Sequence, residues 1–263
     1  MYGVPTGTQG GVHTFQPFPF PYGESWLAYA VEFEMKNRIL TIVLIFVFLL
    51  GLGVLLYPTI SNAINAMTQS RVIESYNAEA QGQTEQQYQQ MMDAAAAFNQ
   101  RLYQKGSFTT LSEEEAKEYD TLLNLRADGV MGYIEIPKID VYLTIGHTTQ
   151  EDVLQKMVGH IPGTSLPVEG ENVHCVLSAH RGLPSAMLFS NLDLLEVGDT
   201  FTVRVLNRTY TYQVDKVTII LPEEQQELNI VPGKNLMTLM TCTPYGVNTH
   251  RLLVRAEMIN TAQ

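Results

Sequence analysis

Three residues of this 263-residue chain carry side chains suited to forming and breaking an acyl bond: Cys242, Arg251 and His180. Cys242 ends an apolar, β-favouring run that begins at Asn235, and the turn formers Pro244, Gly246 and Asn248 follow it. A second run then starts at Arg251, where Leu252, Val254, Ala256 and Met258 alternate with Arg251, Leu253, Arg255 and Glu257. Period two marks a strand with one buried face, and Arg251 falls on the other face. The turn folds the chain back, so Cys242 and Arg251 are expected near each other on adjacent strands. A free thiol, with a pKa of ~8.5, is only a few per cent ionised near neutrality, and a neighbouring cation raises that fraction. Arginine keeps its proton, so it can hold a developing oxyanion but cannot act as a base.

The base must come from elsewhere, and His180 is the candidate. It closes the run Asn172 to His180, in which Val173, Cys175, Leu177 and Ala179 share one face and His174, Ser178 and His180 the other. Cys175 therefore reads as a small core residue, and the same parity argues against a Cys175–Cys242 disulfide. A strand-end histidine alone is ordinary. Beside a strand-end cysteine and an arginine in one small barrel, its imidazole can protonate a leaving amine and then deprotonate the incoming nucleophile.

These groups need a rigid frame. From Met131 onward the chain reads as short strands separated by turns: 131–139, 141–145, 171–180, 200–206, 209–221, 235–242 and 251–259. Seven or eight such strands with few helices imply a mainly β domain, a closed barrel or sandwich. Before it, residues 59–105 read as a weakly amphipathic helical stalk with a solvated Gln-rich patch, Gln81 to Gln90. Ser112 to Glu115 form a capping box that opens a helix to about Leu125.

Ile39 to Tyr57 is 19 residues with no charge. As a helix it spans roughly 28 Å, close to the ~30 Å hydrocarbon core, and it exceeds the ~7–15 apolar residues of a cleaved signal peptide. Lys36 and Arg38 precede it and the next basic residue is Arg71, so the N-terminus is expected in the cytoplasm and the bulk of the chain outside, at the plasma membrane. Residues 1–38 read as a cytoplasmic tail, of which 1–25, rich in Gly, Pro and aromatics, is expected to be disordered. With 16 basic against 27 acidic residues and a net charge of −11, nucleic acid is an unfavourable partner.

Longer segments now identify a resemblance. TLMTC ending a strand, Arg251 nine residues on, and SAHRG around His180 resemble the sortases. GYIEIPKI (132–139), GTSLP (163–167), SAHRGLPSAMLFSNLD (178–193) and TCTPYGVNTHRLLVR (241–255) resemble the class C, pilin-polymerising members of Gram-positive bacteria. The resemblance covers roughly residues 100–260. It implies an eight-stranded sortase-type β-barrel and a transpeptidase that cuts an LPxTG-like sorting signal between Thr and Gly. It also implies a Cys242 thioester, Arg251 at the oxyanion, His180 as acid and then base, and Thr241 lining the groove. The acceptor it implies is a pilin lysine amine; a cell-wall amine is the alternative within the same chemistry. A non-catalytic, membrane-anchored binding barrel is the alternative outside it. Class C members commonly carry an Asp-Pro-aromatic lid and often a C-terminal span. No Asp-Pro occurs here, leaving Phe108, with ordinary packing as its alternative, as the candidate lid aromatic, and the chain ends soon after the last strand.

No C-x-x-C or H-x-x-x-H spacing occurs, so no metal or other cofactor is expected. Glu223, Glu224 and Glu227 lack calcium-ligand offsets and read as a solvated acidic loop, and Asn207-Arg208-Thr209 is a chance sequon. The expected organisation is a tail (1–38), a membrane anchor (39–57), a stalk with a lid-like segment (58–129) and a catalytic barrel (130–263). Its partners are LPxTG-bearing pilin or surface proteins, with the membrane held through 39–57.

Overall fold

A computed structural model describes residues 23–106 and 108–262, with side chains from Tyr29 onward. Two units divide the chain, Met1–Leu55 and Leu56–Gln263. Most of the expected tail, residues 1–22, lies outside the described residues, but Gly23 to Arg38 is helical where disorder was expected for its beginning. From Glu24 to Arg38 no proline or glycine interrupts the helix, and the pairs Glu32–Lys36 (2.8 Å) and Glu34–Arg38 (3.7 Å) sit four residues apart. They lead into the apolar stretch of the long helix α1 (Gly23–Gln81). Among the described residues, α1 holds the one stretch long and apolar enough to cross a membrane, with a mean hydropathy of 3.2.

In the second unit, strands β1 (Val130–Ile136), β2 (Val141–Gly146), β3 (Val158–His160), β4 (Val173–Ser178), β5 (Thr200–Val205), β6 (Arg208–Ile220), β7 (Asn235–Thr243) and β8 (His250–Ala262) close into a barrel. Around it they run in the order β1-β2-β3-β4-β7-β8-β6-β5. Seven of the eight were legible from alternation. The eighth, β3, is three residues long, too short for a period, and follows the four-residue helix α4 (Glu151–Leu154) that carries the chain from β2 to its parallel neighbour. Gly159 in β3 is required by proximity, since a Cβ there would lie 2.4 Å from the carbonyl oxygen of Thr148.

The barrel interior takes one parity of each strand. From β4 it receives Cys175 and Leu177, from β7 Met237 and Leu239, and from β8 Leu252, Val254 and Ala256. Helix α2 (Glu85–Gln104) buries Tyr88, Ala95, Phe98, Asn99 and Leu102, and the base of α1 buries Gln69, Ile73, Tyr76 and Ala80. The expected stalk therefore packs against the barrel from Gln69 onward instead of standing free. Its periodicity is faint because polar side chains make key contacts. Gln69 accepts from the Thr144 amide (2.9 Å) and hydroxyl (2.6 Å) and donates to the carbonyl of Lys156 (2.9 Å). Asn99 pairs with both backbone groups of Leu166 (2.7 and 2.9 Å). Helix α3 (Glu113–Tyr119) opens with the expected capping box but stops short of Leu125, since Leu123 takes a left-handed φ of 57° while both it and Leu122 are buried.

Two predictions follow from these buried polar groups. The Tyr76 hydroxyl donates to the carbonyl of Met131 (2.9 Å) and accepts from the amide of Leu206 (2.8 Å). Tyr76→Phe orphans both and should cost about 1–3 kcal/mol by urea titration; an unchanged midpoint would refute that docking. His160 is fully buried, and desolvation holds its imidazole down at about 4. The unfolded chain takes up that proton near ~6.5, so stability should fall by up to about 3 kcal/mol as the pH drops from ~6.5 to ~4. Urea midpoints across that window should slope less in His160→Gln than in the parent.

Candidate active site

The site is set by two strand pairings. In the antiparallel pair β7–β8, Cys242 lies directly opposite Arg251, so both side chains leave the same face, with Cβ atoms about 4.5–5.5 Å apart. Parallel β4 and β7 match Ser178 to Met240, and the Ala179 amide donates to the carbonyl of Met240 (3.2 Å). Two residues on, His180 is level with Cys242. Continuing that register past the end of β4 brings the three residues to one end of the barrel, and each is half-buried.

Below them the outer face is apolar. Val176, Ile220, Leu228 and Leu253 form a second buried cluster against which Ile161 and Met240 pack. Alternation alone put Leu253 on the polar side of its strand. It is buried because the β6–β7 connection, carrying Leu228, folds over that face. His174 holds the connection down, with Nδ1 2.8 Å from the carbonyl of Asn229 and Nε2 2.7 Å from the Thr238 hydroxyl. Burial lowers its pKa, which keeps it neutral there.

Thr241 occupies the opposite parity from Cys242. It is buried and donates its hydroxyl to the carbonyl of Ala179 (2.8 Å), a stitch between the strands that lead to His180 and Cys242. Phe108 is half-buried in the α2–α3 connection. Its neighbour Thr109 donates to the carbonyl of Gly163 (3.3 Å), and the nearby Ile161 amide bonds to Val176 (3.0 Å). Neither of these bonds reaches His180, Cys242 or Arg251. Cys175 points into the barrel, where burial pushes its thiol well above the usual range and makes it a poor nucleophile. In the acidic loop, Glu224 accepts from the amide of Leu221 (2.9 Å) and Glu227 pairs with Lys216 (2.6 Å).

One residue escaped the reading of the sequence. Arg181, directly after His180, donates from Nε to the carbonyl of Ser190 (3.2 Å) and from Nη1 to the hydroxyl of Thr243 (3.3 Å), beside Cys242. Its Nη2 meets Asp193 at 2.6 Å, and its guanidinium lies 5.8 Å from the Tyr245 ring centre. It ties the loop after the histidine to the strand end that bears the cysteine. The only signal for it was its place in SAHRG, and a charged side chain after a strand end ordinarily reads as solvated.

A thiol, an imidazole and a fixed cation at one strand end can together form, stabilise and resolve an acyl-thiol adduct. The description of the Sortase domain matches residues 134–259, which contain all three. The chain is 45% identical to sortase C1 of Streptococcus agalactiae, with a TM-score of 0.71 over 72% of this chain and 98% of that one. The chain belongs to the sortase family. Its members are cysteine transpeptidases. Sortase C of Streptococcus pneumoniae is 38% identical, with a TM-score of 0.65 over 73% and 99% of the two chains. Sortase A of Streptococcus agalactiae is 30% identical over 137 residues, 51% of this chain and 55% of that protein, so the match spans little more than half of that curated relative.

The role of Arg181 can be measured. Arg181→Gln should slow acylation of Cys242 on the order of tenfold by loosening the His180 loop. Asp193→Asn removes only one of its partners and should do less; equal rates for all three proteins would show that the loop holds without it.

Proposed function

We propose that the chain is a membrane-anchored transpeptidase that cuts an LPxTG-like sorting signal between Thr and Gly and joins the Thr carbonyl to a pilin lysine. The observation that carries this reading is the shared level of His180, Cys242 and Arg251 at one end of β4, β7 and β8.

Cys242 Sγ attacks the Thr carbonyl carbon, and Arg251 holds the oxyanion that forms. Two carbonyls, Asn248 (3.3 Å) and His250 (3.1 Å), steady its Nη1, leaving other N–H groups for the substrate. Collapse breaks the Thr–Gly bond, the amine leaves with a proton from the His180 imidazolium, and a thioester remains. Solvent takes one proton from the lysine ammonium, the amine attacks the thioester, and the imidazole takes the second proton as the thiolate is expelled, giving an isopeptide bond and restoring the thiolate–imidazolium pair. The structure of the pneumococcal relative is described as bearing on pilin substrate specificity, which supports a pilin acceptor over a cell-wall amine. Lys36 and Arg38, just before the apolar stretch, support an N-terminus in the cytoplasm, with residues 39–57 crossing the plasma membrane and the barrel outside. Phe108 remains the candidate lid aromatic, acting by movement of the α2–α3 connection.

The test uses the full chain in detergent with an LPxTG peptide and intact-protein mass spectrometry. A mass gain equal to the peptide through Thr should appear in the parent and in Cys175→Ala and be absent in Cys242→Ala. A lysine-bearing pilin fragment should then discharge the adduct faster than a glycine amine. The reverse order would favour the cell-wall acceptor, and no adduct across a panel of signals would overturn the reading.

A further inference from the structure

His180 has a neighbour that neither motif nor resemblance pointed to. The first residue of α4 is Glu151, and one of its carboxylate oxygens lies 3.7 Å from Nε2 of His180. That nitrogen is buried and has no hydrogen-bond partner, although the His180 side chain as a whole is 30% exposed. The other carboxylate oxygen of Glu151 accepts from the amide side chain of Gln155, one helical turn on. The carboxylate is thus oriented from behind, although 71% of the Glu151 side chain is exposed.

A neutral imidazole carries one proton and offers one lone pair, and which nitrogen holds the proton is set by what faces the other. Cys242 and Arg251 lie opposite each other at the strand end beside the loop that carries His180, and its loop neighbour Arg181 is already paired with Asp193. Among the described residues Glu151 is paired with no lysine or arginine.

We propose that Glu151 is the positioning residue of His180: its carboxylate accepts the Nε2 proton, fixing the tautomer and leaving Nδ1 to exchange protons at the reacting centre. This rests on the acyl-transfer reading above for its consequence but not for its geometry. The distance of 3.7 Å is longer than a hydrogen bond, and a small rotation of an exposed carboxylate closes it when substrate orders the site. The placement also gives α4 a second task beyond crossing from β2 to β3, since its first turn delivers the carboxylate to the loop end of β4.

The test has two arms on the full chain in detergent. Nitrogen-15 spectra of the His180 ring, at a pH where the imidazole is neutral, should show the proton on Nε2 in the parent. They should show a mixture of tautomers in Glu151→Ala and an intermediate pattern in Glu151→Gln, whose carbonyl still accepts. With an LPxTG peptide, Glu151→Ala should lower kcat for acylation about tenfold, less than the ~10²–10⁴ that acid–base catalysis as a whole supplies, with KM within about twofold. Gln155→Ala should move both readouts in the same direction by less. An unchanged Nε2 signature together with unchanged kcat in Glu151→Ala would overturn the proposal. If the parent acylates no peptide, the function reading falls and the ring spectra still decide the role of Glu151.

Discussion

The parallel pairing of β4 with β7 is the constraint on which the rest of the molecule depends. Parallel neighbours cannot be joined by a tight turn, so the chain leaves β4 through the 181–199 loop and the β5–β6 hairpin before returning as β7. What this detour secures is register: Ser178 beside Met240 brings His180 level with Cys242. A slip of one residue would turn the cysteine into the barrel and bring Thr241 outward. Three backbone-linked contacts oppose that slip at the loop end. Ala179 is bonded through its amide to Met240 and through its carbonyl to the Thr241 hydroxyl, and Arg181 spans from Ser190 to Thr243.

The second half of the site is simpler, because antiparallel strands joined by a short loop keep their own register. The segment from Pro244 to Asn248 closes with the Val247 and Asn248 amides on the Pro244 carbonyl (3.1 and 3.0 Å), and Gly246 and Asn248 take positive φ. These are residue types that tolerate the left-handed region at low cost. Arg251 then leans back on the loop it closes. The cation is held by the same turn that places it opposite the thiol.

This division explains what the sequence disclosed. Features set by strand parity were legible: Cys242 opposite Arg251 on one face, Cys175 inside, and seven of eight strands. Residues whose role comes from pairing across the barrel were not. Thr241 reads as part of a motif beside the nucleophile, yet its parity turns it inward. Arg181 and Glu151 are a loop cation and a short-helix carboxylate, and only the fold brings one to Thr243 and the other to His180. The anchoring of α1 and α2 was hidden for another reason: Gln69 and Asn99 hold the barrel by hydrogen bonds, which leave no trace in an apolar period.

The apolar outer floor bears on how such a site works. Cys242 and Arg251 stand at the end of a surface made by Val176, Leu253, Met240 and Leu228, which excludes water on one side of the thiol. A charge in a partly dry site interacts more strongly with its neighbours than in bulk water. In the reaction proposed above, the guanidinium opposite Cys242 acts on the oxyanion across few competing dipoles. The cover that makes the floor dry is the β6–β7 connection, and it is held by His174, a buried neutral imidazole bonded at both ring nitrogens. Two histidines on one face of one strand thus divide the work. His174, at the far end, is fixed and neutral and shapes the surface. His180, past the open end, has Nε2 3.7 Å from the carboxylate of Glu151.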